Sequence, residues 1–303
     1  VSTSPALGAV PPAGAHGGDG AAVARALGLA PEDLLDLSQT MNPLAPPVER
    51  VVERHLGELH RYPDRTAATR ELASALGVDL SHVLLTNGGS EAIALVAAEL
   101  GGGVRDEPEF GLHPRSPDGP RWRSDPHNPT GRLAAPSERA DVWDEAFYPL
   151  ATGRWTAGRG QITVGSLTKT FACPGLRLGY VLADPDLVAR LDARQPHWPV
   201  SSLALAALPD LLAAADLQGW ARGIRELRSE LTTLLRGHGL EVEDTDSSWV
   251  LVHRAGLRER LAPQGVLVRD CASFGMPGTA RVAVTDERGL ARLEAALRVT
   301  PDR

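Results

Sequence analysis

The chain has 303 residues, and at roughly 150 residues per domain this length suits one large domain or two smaller ones. Hydrophobic residues make up 43%, enough for a sizeable core, and a net charge of −7 with no Lys or Arg cluster argues against a nucleic-acid partner. No apolar run approaches the roughly 18 residues of a membrane span, and the spacing of Cys173 and Cys271 matches neither a disulfide framework nor a zinc site, which fits a reducing cytoplasm.

In chain order, Val1–Gly14 is rich in Ala, Pro, Gly and Ser, lacks the basic start of a signal peptide, and reads as a loose arm. Helical periodicity follows at Gly20–Leu27, Val48–Leu56 and Ala67–Leu76. A β-type run at Val83–Thr86 leads into helical Glu91–Leu100. The stretch 101–132 is dense in Gly, Pro, Arg and Asp; so long a loop inside a compact domain signals function or hides an element. Strands are expected at Gln161–Val164 and Leu178–Leu182, then helices at Asp186–Arg190, Leu203–Ala214 and Ala221–Arg236. Strands Trp249–His253, Val266–Val268 and Ala280–Val284 and helix Glu287–Val299 follow. Short strands mixed with amphipathic helices imply an α/β architecture, with a smaller α+β domain after about residue 200.

Four segments carry candidate chemistry. Thr86-Asn87-Gly88-Gly89-Ser90-Glu91 joins a strand to a helix, where glycines let backbone N–H groups approach an anion and the helix dipole favours it. It reads equally as a glycine turn with Ser90 as a helix cap. Ser166-Leu167-Thr168-Lys169 also follows a strand, and Arg177 stands eight positions after the lysine. Ser166 and Arg177 suit a phosphate, and Lys169 is a nucleophilic amine able to form an imine, or else a solvated surface lysine. His127-Asn128-Pro129-Thr130-Gly131 by itself is a turn. In Val142-Trp143-Asp144-Glu145-Ala146-Phe147 an acid ends a short apolar run, as at the ligand-binding edge of an α/β sheet or as a simple cap.

Each segment is ambiguous alone, but their order resembles the fold-type I pyridoxal-phosphate (PLP) enzymes of the class I/II aminotransferase superfamily, over most of the chain. The resemblance implies a trimmed PLP-binding large domain with a mainly parallel sheet at 46–195 and a small α+β C-terminal domain at 196–303. It also implies a segment at 16–45 packing with the small domain, behind a flexible arm at 1–15. In this family Lys169 carries the cofactor as an imine, and Asp144 pairs with the pyridine nitrogen. Asn128 donates to the ring's phenolic oxygen, and Phe110 stacks on the ring. Gly89, Ser90, Ser166 and Arg177 hold the phosphate, and Tyr62 reaches it from the partner subunit of a homodimer. Arg281 grips the substrate α-carboxylate.

Four details look more like the threonine-phosphate decarboxylases, near the histidinol-phosphate aminotransferases. They are His16-Gly17-Gly18-Asp19, the Asn42-Pro43-Leu44 segment, Phe147 in place of a tyrosine, and Val268-Arg269-Asp270-Cys271 before the final strand. Here the resemblance implies that His16 and Gly17 touch substrate phosphate and that Asn42 lines the substrate site. The expected substrate is an α-amino acid, phosphorylated on its side chain if His16 and a basic patch converge, and a cobalamin-type pathway would follow. Decarboxylation is the leading reaction, and transamination of the histidinol-phosphate type uses the same residues. A non-catalytic relative is the alternative from another class, but no basic helix-turn-helix precedes Gly17. An unrelated α/β binding protein would require the motif order to be coincidental.

Two intervals look shorter than the family norm: 38 positions from Ser90 to Asn128 and 16 from Asn128 to Asp144. The decarboxylases often carry an arginine just after the final strand, where this chain has Thr285. Arg115, Arg121, Arg123 and Arg269 are candidate substitutes or plain surface charges.

Overall fold

The computed structural model describes residues 9–159 and 161–299. The chain runs α1 (Gly20–Leu27), β1 (Leu35–Asp36), α2 (Val48–Glu53), α3 (Thr66–Leu76), β2 (Val83–Asn87), α4 (Gly88–Leu100), β3 (Trp122–Ser124) and β4 (Val142–Asp144). It continues through α5 (Tyr148–Thr152), β5 (Ile162–Ser166), α6 (Leu167–Thr170), β6 (Leu178–Leu182), α7 (Pro185–Arg194), α8 (Ser202–Ala213) and α9 (Leu217–Gly237). Then come β7 (Val242–Glu243), β8 (Trp249–His253), α10 (Leu257–Leu261), β9 (Val266–Leu267), β10 (Arg269–Asp270), β11 (Thr279–Ala283) and α11 (Glu287–Val299). Among the described residues no helix is long and apolar enough to cross a membrane.

Two compact units emerge: Met41–Ile224, and Val1–Thr40 with Arg225–Arg303. The first is built on a five-stranded sheet in the order β2-β6-β5-β4-β3. β3, β4 and β5 pair in parallel, and β6 runs antiparallel to both β5 and β2. Its strands are apolar on both faces, as a sheet covered by helices on each side requires. Leu85, Tyr180 and Leu182 point into a core shared with α3 and α8, whereas Leu84, Val164 and Val181 point into one shared with α4 and α7. α8 thus belongs to this unit, because Ala204, Leu205, Leu208 and Leu211 bury against Leu72 and Leu76. The expected boundary at 195/196 gives way to one inside α9. That helix puts Trp220 and Ile224 into the first unit's core and Leu231 and Leu235 into the second's.

The second unit is an antiparallel sheet, β10-β11-β8-β7, whose Val250, Val252, Ala280 and Val282 pack against Leu293 and Leu297 of α11. A parallel pair joins β1 to β9 through Leu35 and Val266. Of the expected flexible arm, residues 1–8 lie outside the described residues. Residues 11–15 are held: Arg258 and Arg269 donate to the Pro11, Gly14 and Ala15 carbonyls.

The aperiodic stretch 101–132 hides one short strand, β3, and is otherwise organised by arginines. Arg105 donates to the carbonyls of Gly103, Ser116 and Gly119, and Arg115 to those of Glu109 and Phe110. Gly102, at φ +85, packs so closely on Pro120 that a Cβ would lie 2.1 Å from its carbonyl oxygen. No periodicity could report such a loop, because its order rests on polar hubs rather than an apolar face.

Candidate active site

All five strands of the larger sheet bring chemistry to one edge. β2 runs into Gly88-Gly89-Ser90 at the start of α4, β3 into the Asp125–Gly131 turn, β4 ends on Asp144, and β5 ends on Ser166 and feeds Lys169 in α6. β6 runs the opposite way and therefore begins at this edge, with Arg177 just before it. Loops at the carboxyl ends of parallel strands are where α/β sheets bind ligands.

The glycine segment is a cradle. Gly88 has φ +78, which favours glycine, and a Cβ there would lie 2.2 Å from Nη2 of Arg177. A Cβ on Gly89 would lie 3.3 Å from that of Ser166, and one on Gly179 only 2.4 Å from the Gly88 carbonyl carbon. Gly88, Gly89, Ser166, Gly179 and Arg177 therefore converge. Ser90 is exposed in the first turn of α4, and Arg177 is exposed with a left-handed backbone at φ 56. N–H groups at a helix start, a serine hydroxyl and a guanidinium make a seat for a phosphate.

Asp144 is nearly buried. One carboxylate oxygen accepts from the Ala146 N–H at 2.9 Å, and the other faces Nε2 of His113 at 3.0 Å. His113 is itself buried, between Phe110 (ring centroids 5.5 Å apart, edge-to-face) and Trp122 (5.6 Å). Its Nδ1 lies 3.8 Å from Glu109, a buried carboxylate that accepts from the Ser124 and Phe110 N–H groups. The sequence reading missed His113 and Glu109. Both lie in the aperiodic stretch, and only its richness in polar residues could have drawn attention to them.

Asn128 is buried in the turn after β3, which is tied to Asp144 by the Asp125 N–H donating to the Asp144 carbonyl at 2.8 Å. Lys169 is half-buried, with Nζ 5.9 Å from the Phe147 ring. Asn42 belongs to this unit as well: its N–H donates to the Lys169 carbonyl and its Nδ2 to that of Thr170, at 3.1 and 2.9 Å. It braces the lysine's turn through backbone contacts.

Behind Asp144, buried Glu145 and Asp125 share Arg159, whose guanidinium stacks 4.1 Å over the Trp143 ring. Burial pushes the Glu145 carboxyl above the ordinary glutamate range, against the pull of the Ala157 N–H and Arg159. Tyr62 is 78% exposed and stacks on Trp198 at 4.6 Å. His16, Gly17 and Arg281 belong to the second unit. His16 is exposed, Gly17 packs with no room for a Cβ against the Ser38 carbonyl, and Arg281 is buried.

PLP requires a phosphate seat, a buried carboxylate for the ring nitrogen, an aromatic face and an amine. The larger unit's edge carries the cradle, Asp144, Phe110 and Lys169, so its residues fit the cofactor.

The family model for aminotransferase class I and II matches residues 124–297. A threonine-phosphate decarboxylase of Salmonella typhimurium is 31% identical, covering 94% of this chain and 96% of its own length. A histidinol-phosphate aminotransferase of Thermobifida fusca is 28% identical, covering 87% of this chain and 89% of its own. Among solved structures, the histidinol-phosphate aminotransferase of Clostridium acetobutylicum superimposes with a TM-score of 0.78 at 22% identity, over 88% of this chain and 98% of that one.

Proposed function

The chain belongs to the family of class I and II aminotransferases and is a PLP-dependent enzyme; on that premise we propose that it is a lyase removing CO₂ from an α-amino acid with a side-chain phosphate. The observation that carries this reading is a pair of buried arginines. Arg269 and Arg281 face each other across the β10–β11 ladder, 3% and 7% exposed. Phe274 packs against both guanidiniums, and Trp249 stacks on Arg281 at 5.0 Å. Burial lowers Arg281 only to about 10, so it stays cationic at neutral pH.

A buried cation is costly without an anion. Of the four arginines weighed as substitutes for the one absent at Thr285, Arg115, Arg121 and Arg123 already pair with Glu107, Asp106 and Glu138. Arg269 bonds only neutral groups, the Gly14 and Ala15 carbonyls and the Ser273 hydroxyl, and no carboxylate among the described residues pairs with it. Arg269, opposite Arg281 on the same ladder, suits an anionic group of the substrate. Arg281 takes the α-carboxylate, and Arg269 with His16 and Gly17 takes the phosphate.

When bound, PLP supplies an electron sink for a broken Cα bond. Gly89, Ser90, Ser166 and Arg177 hold its phosphate, Asp144 its ring nitrogen, Asn128 its phenolic oxygen and Phe110 its face. Loss of CO₂ leaves an electron pair at Cα that a proton must replace, and Lys169 delivers that proton. The same Nζ, taking a proton from Cα instead, would serve transamination, the reading favoured by the histidinol-phosphate aminotransferase relatives. Tyr62, exposed and stacked on Trp198, supports a homodimer in which it reaches the partner's phosphate seat. The free, buried Cys173 and Cys271 fit a reducing cytoplasm.

The test is turnover of O-phospho-L-threonine with CO₂ and amine measured together, against histidinol phosphate with a 2-oxo acid. Stoichiometric CO₂ with no oxo-acid consumption supports the lyase. Amino transfer without CO₂ replaces it with the aminotransferase reading.

A further inference from the structure

Residues 9–15, Ala-Val-Pro-Pro-Ala-Gly-Ala, bring little apolar surface beyond Val10, so burial alone cannot order them. Polar anchors do. Arg258 of α10 is 2% exposed; its Nη2 bonds the Asp19 carboxylate at 2.8 Å and its Nη1 the Pro11 carbonyl at 2.7 Å. Asp19 sits at the N-cap of α1, where an aspartate side chain ordinarily bonds the helix's own N–H groups, yet it makes no such bond. Its carboxylate is diverted to Arg258. Between the anchors, the Gly18 N–H donates to the Ser38 hydroxyl, itself bonded to Asp36. Gly17 and Gly20 pack so tightly that a Cβ on either would lie 2.5 Å from an oxygen of Ser38 or Asp36.

We propose that Arg258 is a positioning residue for substrate recognition: by pinning Pro11 and Asp19 it fixes the segment carrying His16 and Gly17, and so sets affinity for the substrate's side-chain phosphate without touching it. This rests on the reading that His16 and Gly17 meet that phosphate. Arg258 is buried while Asp19 is a quarter exposed, and Glu259 lies 3.5 Å from Nη1 of Arg258, so losing Asp19 leaves the guanidinium with this longer pair and losing Arg258 frees the Asp19 carboxylate. Without Arg258, Asp19 is released to cap α1 and the segment loses its outer anchor. If the competent arrangement is then populated about one tenth of the time, apparent affinity falls about tenfold, with no change in the chemical step.

The experiment compares holoenzyme carrying Arg258→Met, which keeps the buried aliphatic stem, with Asp19→Asn and the double variant. Proteinase K cleavage within residues 9–19, read by mass spectrometry on substrate-free protein, reports order of the segment independently of activity. Steady-state kinetics follow on O-phospho-L-threonine and on L-threonine. The expected result is faster cleavage in all three variants and KM for the phosphorylated substrate raised about tenfold with kcat within about twofold. KM for L-threonine should be unchanged, and the double variant no worse than either single one. Cleavage at the wild-type rate in Arg258→Met, or equal KM changes on both substrates, overturns the inference. A wild-type enzyme that does not prefer the phosphorylated substrate overturns the functional reading and this inference with it, whatever the cleavage shows.

Discussion

Replacing Gly179 with alanine tests whether the phosphate cradle is set by backbone contact. Its added Cβ would lie 2.4 Å from the Gly88 carbonyl carbon, 2.5 Å from the Gly89 nitrogen and 2.7 Å from the Gly88 oxygen. All three are main-chain atoms in the turn between β2 and α4, so no side-chain rotation relieves the clash. Restoring ordinary contact requires the turn to move by roughly 1 Å from β6, and overpacking of this kind costs roughly 1–3 kcal/mol. The same shift separates the Gly89 N–H and Ser90 from Ser166 and Arg177, and misplacing binding groups by about 1 Å costs up to about 100-fold. Gly175→Ala is the matched control: it lies nearby, with nothing within 4 Å of its Cβ and no positive φ. The assays are urea denaturation of cofactor-free protein and titration with PLP followed by its visible absorption. Gly179→Ala should bind PLP at least about tenfold more weakly than Gly175→Ala, which should match wild type. Equal affinities in the two variants would refute the convergence of β6 with the glycine turn.

Lys169→Ala should abolish the visible band of lysine-bound cofactor while the urea midpoint stays within error, because a half-buried lysine contributes little packing. His113→Phe keeps a ring between Phe110 and Trp122 but removes the group facing Asp144 at 3.0 Å. Losing a hydrogen bond to a charged group should cost about 1.5–3 kcal/mol in urea melts and weaken PLP binding, and a loss below about 0.5 kcal/mol would show that Asp144 does not depend on it. Glu145 gives a pH test. Its folded pKa is raised above the ordinary 4.5 by burial, so its neutral form favours the folded state. Its contribution is fully present below the unfolded value and is lost as pH rises through the folded one. Wild-type stability relative to Glu145→Gln should therefore fall as pH is raised from about 4, and a difference flat with pH would contradict the burial assigned to it.

Much of the site was legible because its parts are local. A strand, a turn and a helix start lie within a few residues at Thr86–Glu91 and again at Gly165–Lys169, and short-range spacing encodes both. His113 was not legible, because its role comes from a contact with Asp144 across 31 positions through a stretch without periodicity. The limit of the second unit was missed for a related reason. α8 carries an ordinary apolar pattern, and only the position of Leu72 and Leu76 on α3 decides which core it joins. At residues 11–15 composition alone does not show the anchoring, because Arg258 and Arg269, which hold them, lie more than 240 positions away.

The shortened intervals bear on how such a site survives trimming. The alignment to the Salmonella decarboxylase spans 365 positions against 303 residues here, so gaps must open in this chain. Of the residues proposed to hold the cofactor, Gly89, Asp144, Ser166 and Arg177 lie at a strand end or within two residues of one, whereas Phe110 lies in the loop before β3; strand ends are fixed by their neighbours in the sheet. The ladder Trp122↔Val142 to Ser124↔Asp144, and on to Val164, sets Asp144 regardless of what connects the strands elsewhere. In the aperiodic stretch the backbone carbonyls are met by arginines rather than by a helical ladder. Arg105 and Arg115 satisfy carbonyls between α4 and β3, and Arg159 ties the 154–159 loop to Asp125 and Glu145 beside the site. A guanidinium has five donors and can satisfy several carbonyls at once, so it substitutes for helical hydrogen bonding at far lower chain length. It also concentrates dependence: one arginine-to-methionine change at Arg105 removes a donor from three carbonyls at once, although that of Gly103 keeps the Trp122 N–H and those of Ser116 and Gly119 lie at exposed residues.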